Sequence, residues 1–182
     1  MPDEPESEAD VAALVDAIQA GTDDVVVPAE MLAEPESPAA APARSLYAQI
    51  LGMSIGQKIK LALRGNGDAR TILLRDGSKL VRRFVLMNPR IGDNEIIAIT
   101  RNKSIDDDLL RIIADKREWV RLYQVRVGLA TNPKTSLPTA IKLVGTLDER
   151  DIRQISKSKN VQQGVAAQAR RLMFAKQQQG KQ

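Results

Sequence analysis

The sequence predicts an all-α protein built from stacked short helices, and three observations lead to this prediction. Apolar residues recur at helical spacing in short runs along most of the chain. Turns of about two to five residues separate these runs, which makes sequential helices antiparallel neighbours. No segment shows sustained alternation of apolar and polar residues, so strands are not expected. We expect an α-solenoid or a compact helical array that follows a disordered acidic N-terminal tail.

Two near-copies of one short pattern lie in the middle of the chain. Leu86-Met87-Asn88-Pro89-Arg90 and Ala130-Thr131-Asn132-Pro133-Lys134 each end an apolar run at Asn, and Pro and a basic residue follow. The two prolines are 44 residues apart, which lies in the range of paired-helix repeats. The pattern favours repeated helix pairs but specifies neither a ligand nor a reaction.

Charge divides the chain into two parts. Residues 1–43 contain eleven acidic residues and no Lys or Arg, which gives a net charge of −11. Residues 44–182 contain all 27 basic residues and twelve acidic ones, which gives +15. This asymmetry is typical of an acidic tail on a basic body. We expect a folded domain over residues 44–176 and a frayed C-terminus over 177–182.

The composition excludes several kinds of chemistry. The chain has no Cys and no His, which excludes disulfides, thiolate or imidazole metal ligands, Cys nucleophiles and His-dependent triads. The acidic, Pro-rich start lacks the features of a secretory signal, and no apolar run approaches the roughly 18 residues of a membrane span. We therefore expect a cytoplasmic protein that has no metal or cofactor and does not contact a membrane.

One segment of the acidic tail, residues 9–20, has the pattern of a short amphipathic helix. Four apolar residues recur there at helical spacing: Val11, Leu14, Val15 and Ile18. A helix of about twelve residues is marginal alone in water. It is either a transient helix or a docking helix that binds a groove on a partner or on the basic body. Residues 34–43 contain three prolines and predict an extended linker.

Capping and breaking residues place the helices of the body. Ser54 and Gln57 fit a capping box, and Asp68 is expected to cap the helix after the Gly65–Gly67 turn. Shorter helices are expected around the apolar positions of residues 46–51, 55–63, 72–74, 80–85 and 141–144. Longer helices are expected over 93–101, 104–116, 117–131, 148–156 and 161–176, with Ser104 and Ser136 as caps.

The Asn-Pro-basic turns and the capped Ile/Leu helices of roughly residues 54–174 resemble helical-repeat proteins of the HEAT and leucine-rich-repeat-variant kind. The resemblance implies a stacked helical fold that offers an interaction surface rather than an activity. One leucine-rich-repeat-variant protein holds an iron–sulfur cluster through cysteines. That feature does not carry over, because this chain has no Cys.

Two acidic clusters, Asp106-Asp107-Asp108 and Asp148-Glu149-Arg150-Asp151, are candidates for cation binding or acid–base chemistry. Successive helical residues point about 100° apart, so adjacent carboxylates do not easily converge on one ion. Carboxylates in a first helical turn also offset the helix dipole and its free amides, and we expect this structural role. Gly65-Asn66-Gly67 lacks the strand and further glycines of a phosphate-binding loop and is predicted to be a turn.

Basic side chains recur about once per helix, and in a stacked array such positions align into a ridge. A basic ridge can follow phosphates without sequence preference, although basic residues near helix C-termini also complement the dipole. Five aromatic residues in the whole chain argue against base stacking. The predicted binding residues are Arg82, Arg83, Arg90, Arg101, Lys103, Arg121, Arg126, Lys134, Lys157 and Lys159.

The sequence predicts a non-enzymatic module that binds another macromolecule, chiefly a protein, through a basic surface. The acidic tail would act as an intramolecular competitor or as a second docking element, and deletion of residues 1–43 is expected to strengthen binding to polyanions or acidic partners. Nucleic-acid binding through phosphates is the alternative. An enzyme would need a cleft that joins Trp119 or Tyr123 to a buried carboxylate.

Overall fold

The structure, a computed structural model, describes residues 7–34 and 43–179. Within these ranges it contains twelve α-helices, one short 3-10 helix and no strand. The prediction of an all-α array is therefore confirmed. No helix in the described ranges is long and apolar enough to cross a membrane. The helices form two compact units, Met1–Ile91 and Gly92–Gln182, instead of one domain that begins near residue 44.

Unit 1 is arranged around its third helix. Its helices are α1 (Glu8–Ala20), α2 (Ala43–Leu51), α3 (Ile55–Arg64), α4 (Gly67–Leu73) and α5 (Lys79–Val85), with a 3-10 turn at Ala29–Met31. Helix α3 packs against α1, α4 and α5. Ile59, Leu61, Ala62 and Leu63 are accordingly all buried, because neighbours cover this helix on several sides.

The predicted capping box starts α3. Ser54 Oγ accepts a hydrogen bond from the Gln57 amide at 3.3 Å, and Gln57 Oε1 accepts one from the Ser54 amide at 3.0 Å. The Gln57 side-chain amide also donates to the Val26 carbonyl at 2.9 Å. The cap therefore fixes the start of α3 and also holds the acidic N-terminal segment.

Residues 7–34 differ from the predicted disordered tail, because they form part of the core of unit 1. Val15 and Ile18 of α1 are buried, as is Met31, and Val11 and Leu14 pack against the same cluster. Helix α1 thus docks on α3 of its own chain. The predicted linker over 34–43 lies outside the described residues, apart from its two ends.

Ion pairs and backbone hydrogen bonds also hold the acidic segment. The Asp23 carboxylate lies 2.6 Å from Lys60 Nζ, which also donates to the Val25 carbonyl. Glu34 pairs with the buried Arg70 at 3.1 Å. The composition of this segment predicts disorder because it is acidic and has no basic residue. The cations that pair with its acids, Lys60 and Arg70, lie 37 and 36 residues further along the chain.

We expect Ile18→Ala to lower the free energy of unfolding of unit 1 by about 2–4 kcal/mol, because it leaves a cavity in a packed core. Val26→Ala is the control, since Val26 is 79% exposed, and it should change stability by less than about 0.5 kcal/mol. Urea unfolding followed by circular dichroism measures both variants. Equal stability of the two would show that α1 is not part of the core.

Unit 2 contains seven helices. They are α6 (Asp93–Arg101), α7 (Asp107–Asp115), α8 (Arg117–Val120), α9 (Tyr123–Thr131), α10 (Leu137–Val144), α11 (Glu149–Lys157) and α12 (Gln163–Gln179). Helix α9 packs against α6, α8 and α10, and α12 packs against α10 and α11. The last described helix, α12, has 17 residues and reaches into the stretch that was expected to fray.

Several predicted boundaries differ from those of the structure. The helix expected over 117–131 is two helices, because Leu122 has an extended backbone with ψ 121°. Helix α7 begins at Asp107 with Asp106 at its N-cap position, so Ser104 is not the cap. Asn66, and not Asp68, caps α4, and its side chain accepts a hydrogen bond from the Ala69 amide at 3.0 Å.

The two Asn-Pro-basic turns have the same internal hydrogen bonds. The buried Asn88 amide donates to the carbonyls of Ala62 and Gly65 at the end of α3. Its side-chain oxygen accepts a hydrogen bond from the Arg90 amide at 2.9 Å. Each Asn therefore satisfies backbone groups that a helix end and a tight turn would otherwise leave without partners.

Asn132 repeats this arrangement in unit 2. Its amide donates to the carbonyls of Thr100, at 2.8 Å, and Asn102, at 3.1 Å, at the end of α6. Its side-chain oxygen accepts a hydrogen bond from the Lys134 amide at 2.9 Å. The short sequence pattern thus marks a specific contact between a turn and an earlier helix of the same unit.

We expect Asn132→Ala to lower the free energy of unfolding of unit 2 by about 2–4 kcal/mol, since it removes the partners of buried backbone groups. Asn94→Ala, at an exposed position of α6, should have an effect below about 0.5 kcal/mol. The single Trp of the chain, Trp119, lies in unit 2 and reports its unfolding by fluorescence. A small effect of Asn132→Ala would argue against this contact.

Candidate functional site

Unit 2 has a cleft of about 310 Å³ at the C-terminal ends of α6 and α11. Arg101 and Lys103 line one side, and Ser158, Asn160 and Val161 of the α11–α12 loop line another. The same local structure sets the positions of both cations. Helix α6 ends at Arg101, and the Asn102 carbonyl in the following turn accepts a hydrogen bond from the Asn132 side chain. The cleft therefore presents basic side chains beside hydrogen-bonding groups.

Gly128 lines this cleft at a close contact with Thr100. A Cβ atom at this position would lie 2.2 Å from Thr100 Oγ1 and 2.8 Å from Thr100 Cβ. Both residues line the cleft, where α6 and α9 pack together. Only Gly permits this approach, since distances this short do not occur between non-bonded heavy atoms.

A second depression, of about 620 Å³, adjoins the cleft. Lys159 and Arg170 line it, together with Ala166 and Ala167 of α12. Ser158 and Val161 line both depressions, so the two share the wall formed by the α11–α12 loop. We call the four cations of the two depressions, Arg101, Lys103, Lys159 and Arg170, the cationic track.

The stretch of sequence that supplies Lys159 and Arg170 is strongly unbalanced in charge. Residues 152–182 contain seven basic residues and no acidic residue. This acid-free stretch is the sequence signal for the second depression, because the run as a whole, and not any one basic residue, marks it. Among the residues that line the two depressions, Asp151 is the one acid. Its carboxylate accepts a hydrogen bond from the Tyr123 hydroxyl.

Three of the ten predicted binding residues lie in the track, namely Arg101, Lys103 and Lys159. Lys157 is exposed beside Ser158. Arg121 is exposed, and the Arg126 guanidinium lies 5.4 Å from the centre of the Tyr123 ring.

The other predicted residues lie elsewhere. Lys134 donates to the Ser104 carbonyl at 3.1 Å. In unit 1, Arg82 donates to the Asp76 carbonyl, Arg83 is exposed on α5, and Arg90 donates to the Leu32 carbonyl. The predicted set is thus distributed over both units, and the structure adds Arg170 to it.

The acidic clusters lie at helix starts. Asp106 is at the N-cap position of α7, and Asp108 pairs with Arg111 at 3.0 Å. Asp148 is at the N-cap position of α11, where Glu149 pairs with Arg153 at 2.8 Å. In the part of the chain that the structure describes, no group of three acidic side chains is arranged to hold a metal ion.

Tyr123 and Trp119 differ in their surroundings. Trp119 is buried, with Lys116 Nζ 4.1 Å from its ring centre. The Tyr123 hydroxyl accepts a hydrogen bond from the Asp148 amide at 3.1 Å and donates one to Asp151. Burial, and then the hydrogen bond to Asp151, raises the pKa of Tyr123 above 10.0. Asp151 lines the cleft but is only half-buried, and neither aromatic ring lines it.

We expect Asp151→Asn to lower the pKa of Tyr123, because the variant removes the carboxylate whose charge and hydrogen bond favour the protonated hydroxyl. Since the pKa is raised in the folded state, its contribution to stability is present below pH 10.0 and lost as pH rises through the folded pKa. The ultraviolet absorbance of tyrosinate measures the shift, and Tyr123→Phe assigns the signal. An unchanged titration would exclude the Asp151 contact.

Comparisons with protein families and with known proteins give no relative. No family model matches the chain, and neither a curated protein nor a solved structure matches it. The helices themselves place the chain in a general class, all-α proteins of two helical units. Because no relative matches, the resemblance to HEAT and leucine-rich-repeat-variant proteins stays a prediction.

Proposed function

We propose that this protein is a non-enzymatic binding module whose cationic track receives an acidic, partly apolar segment of a partner protein. The observation that supports this proposal is the shared wall of the two depressions. Because Ser158 and Val161 line both, the two depressions adjoin, and two cationic side chains line each of them. A partner segment that spans both depressions would meet cations in each.

The lining favours a peptide that carries apolar as well as acidic side chains. Val127 and Ile155 line the cleft, and Ala166 and Ala167 line the adjoining depression. Apolar groups of a partner lose contact with water when they cover such residues. Carboxylates at the rim pair with Arg and Lys, which contributes mainly specificity and rate of association.

Both arginines of the track are held in place before a partner binds. Arg170 donates to the Ser156 carbonyl at 3.1 Å, and Arg101 donates to the Gln124 side-chain oxygen. Neither contact neutralises the positive charge of the guanidinium. A side chain that is already ordered loses less conformational entropy when a partner binds.

Nucleic acid is the second candidate, and the acid-free stretch over residues 152–182 favours it. Seven basic residues without an acid create a positive field that attracts phosphates at low salt. No aromatic side chain lines either depression within the described residues, so base stacking does not contribute there. Binding of this kind would depend on phosphates alone and would fall steeply with salt.

We also propose that the acidic N-terminal segment modulates binding through its charge. Deletion of residues 1–43 is a poor test of this role, since it would remove Ile18 and Met31 from the core of unit 1. Asp16 and Asp24 are exposed and can be replaced by Asn in the full chain. Their neutralisation should strengthen polyanion binding at low salt, and unchanged affinity would exclude the segment from the mechanism.

The test compares the full chain with a double variant of the track, Lys103→Gln with Lys159→Gln. The ligands are a labelled copolymer of Glu and Leu, poly-Glu and duplex DNA, each titrated across salt. Loss of two rim charges should weaken copolymer binding roughly tenfold, because each exposed pair contributes up to about 1 kcal/mol. Arg117→Gln with Lys142→Gln is the matched control, since both residues are exposed on unit 2 outside the track.

The three ligands separate the outcomes. Stronger binding of the Glu–Leu copolymer than of poly-Glu, lost in the track variant only, supports the proposal. Preferred binding of DNA with a steep salt slope supports the second candidate. Equal losses in the track and control variants would show that net charge, and not the track, determines binding.

A further inference from the structure

We infer that unit 1 carries a separate binding site for a small amphiphilic carboxylate, a molecule with one carboxylate head and an aliphatic chain. The site is a depression of about 560 Å³ beside the end of α3 and the Asn88-Pro89-Arg90 turn. This volume lies within the usual range for small-molecule sites, roughly 300–1,000 Å³. The inference concerns a different unit from the cationic track and does not depend on the proposed function.

Two guanidinium groups supply the polar part of the site. Arg64 and Arg90 both line the depression and are exposed. Arg64 donates to the Gln19 carbonyl at 3.0 Å. Arg90 donates to the Leu32 carbonyl at 2.9 Å and also to the Arg64 carbonyl. These hydrogen bonds order both side chains but leave their positive charges uncompensated.

No acidic residue in the described part of the chain pairs with these charges. Among the residues that the structure describes, neither Arg64 nor Arg90 forms an ion pair, and no acidic residue lines the depression. Arg presents its N–H groups in a planar fork that matches the two oxygens of a carboxylate. A pair of ordered, uncompensated arginines is therefore a suitable place for an anionic head group.

The remaining walls are apolar. Leu32, Leu63, Met87 and Pro89 line the depression beside the two arginines. Met87 is 50% exposed although its neighbour Leu86 is buried, so its thioether side chain is available at the surface. Met is flexible and adapts to irregular apolar ligands. An aliphatic chain that covers these residues would remove apolar surface from water.

Unit 2 shows why the ligand class differs between the two units. Helices α3 and α6 end similarly, at Arg64 and Arg101, and each end is held by the Asn of an Asn-Pro-basic turn. The cleft beside Arg101 contains an acid, Asp151, and several polar side chains. The depression beside Arg64 contains cations and apolar walls without an acid, and this combination suits an amphiphilic anion.

The test uses decanoate, below the concentration at which it forms micelles, and methionine methyl NMR of the full chain. The chain has five Met, of which Met87 lines the site and Met173 lies in unit 2. Decanoate should shift the Met87 methyl signal in a saturable manner and leave Met173 unchanged. Decanol lacks the charge and acetate lacks the chain, so each should bind at least about tenfold more weakly.

Arg64→Gln should weaken decanoate binding about tenfold or more, because it removes one charged group that donates hydrogen bonds to the carboxylate of decanoate. Arg75→Gln, which removes an exposed Arg of unit 1 outside the site, should leave the affinity unchanged. Met87→Glu provides a second variant, since it places a negative charge on an exposed wall without a change in the core, and it should abolish binding.

Three results would overturn the inference. One is equal affinity for decanol and decanoate, which would remove the role of the arginines. Another is a decanoate-dependent shift of Met173 at the same concentrations as Met87, which would indicate non-specific association. The third is full binding by a folded Met87→Glu variant, as judged by circular dichroism.

Discussion

Each helical unit contains an Asn-Pro-basic turn whose buried Asn side chain binds the end of an earlier helix. Helix C-termini expose carbonyl groups, and burial of such groups without partners costs free energy. Asn88 and Asn132 supply donors to these carbonyls, and their own oxygens hold the turn that contains them. An amide is well suited to this position because it donates and accepts at once, whereas a carboxylate only accepts. The following basic residue extends the contact, since Arg90 and Lys134 also donate to backbone carbonyls.

The acidic N-terminal segment changes the meaning of the charge asymmetry. A net charge of −11 over the first 43 residues suggests a solvated tail, but several of these acids have specific partners. Asp23 pairs with Lys60 and Glu34 pairs with Arg70, while α1 packs against α3. Part of the positive charge of the body is therefore compensated within unit 1. Unit 2 has 17 basic and 10 acidic residues, which leaves it the more positive of the two.

Local signals predicted much of the fold. The capping box at Ser54, the Asn-Pro turns and the apolar periodicity place most helices correctly, because these features act over a few residues. Features that depend on distant contacts were predicted less well. The helix over residues 9–20 was predicted, but its docking stayed one of two alternatives, because a helix this short needs a partner to be stable. The break at Leu122 has no local marker of the Gly or Pro type.

The candidate sites were predicted less completely than the fold. The sequence identifies which residues are basic, and three of them lie in the cationic track. Whether two cations share a surface depends on how the helices pack, and the spacing of residues along the chain does not reveal that packing. Arg170 and Arg64 show the limitation clearly. In the sequence each is one basic residue among 27. In the folded chain each donates to a backbone carbonyl, of Ser156 or Gln19, and lines a depression.

The close approach of Gly128 to Thr100 links the shape of the cleft to the packing of unit 2. The absence of a single side-chain carbon allows α6 and α9 to lie near each other, and both Gly128 and Thr100 line the cleft. The shape of the cleft and the separation of the two helices are therefore coupled. A larger residue at position 128 would have to displace Thr100 or α6, and either movement would change the wall of the cleft.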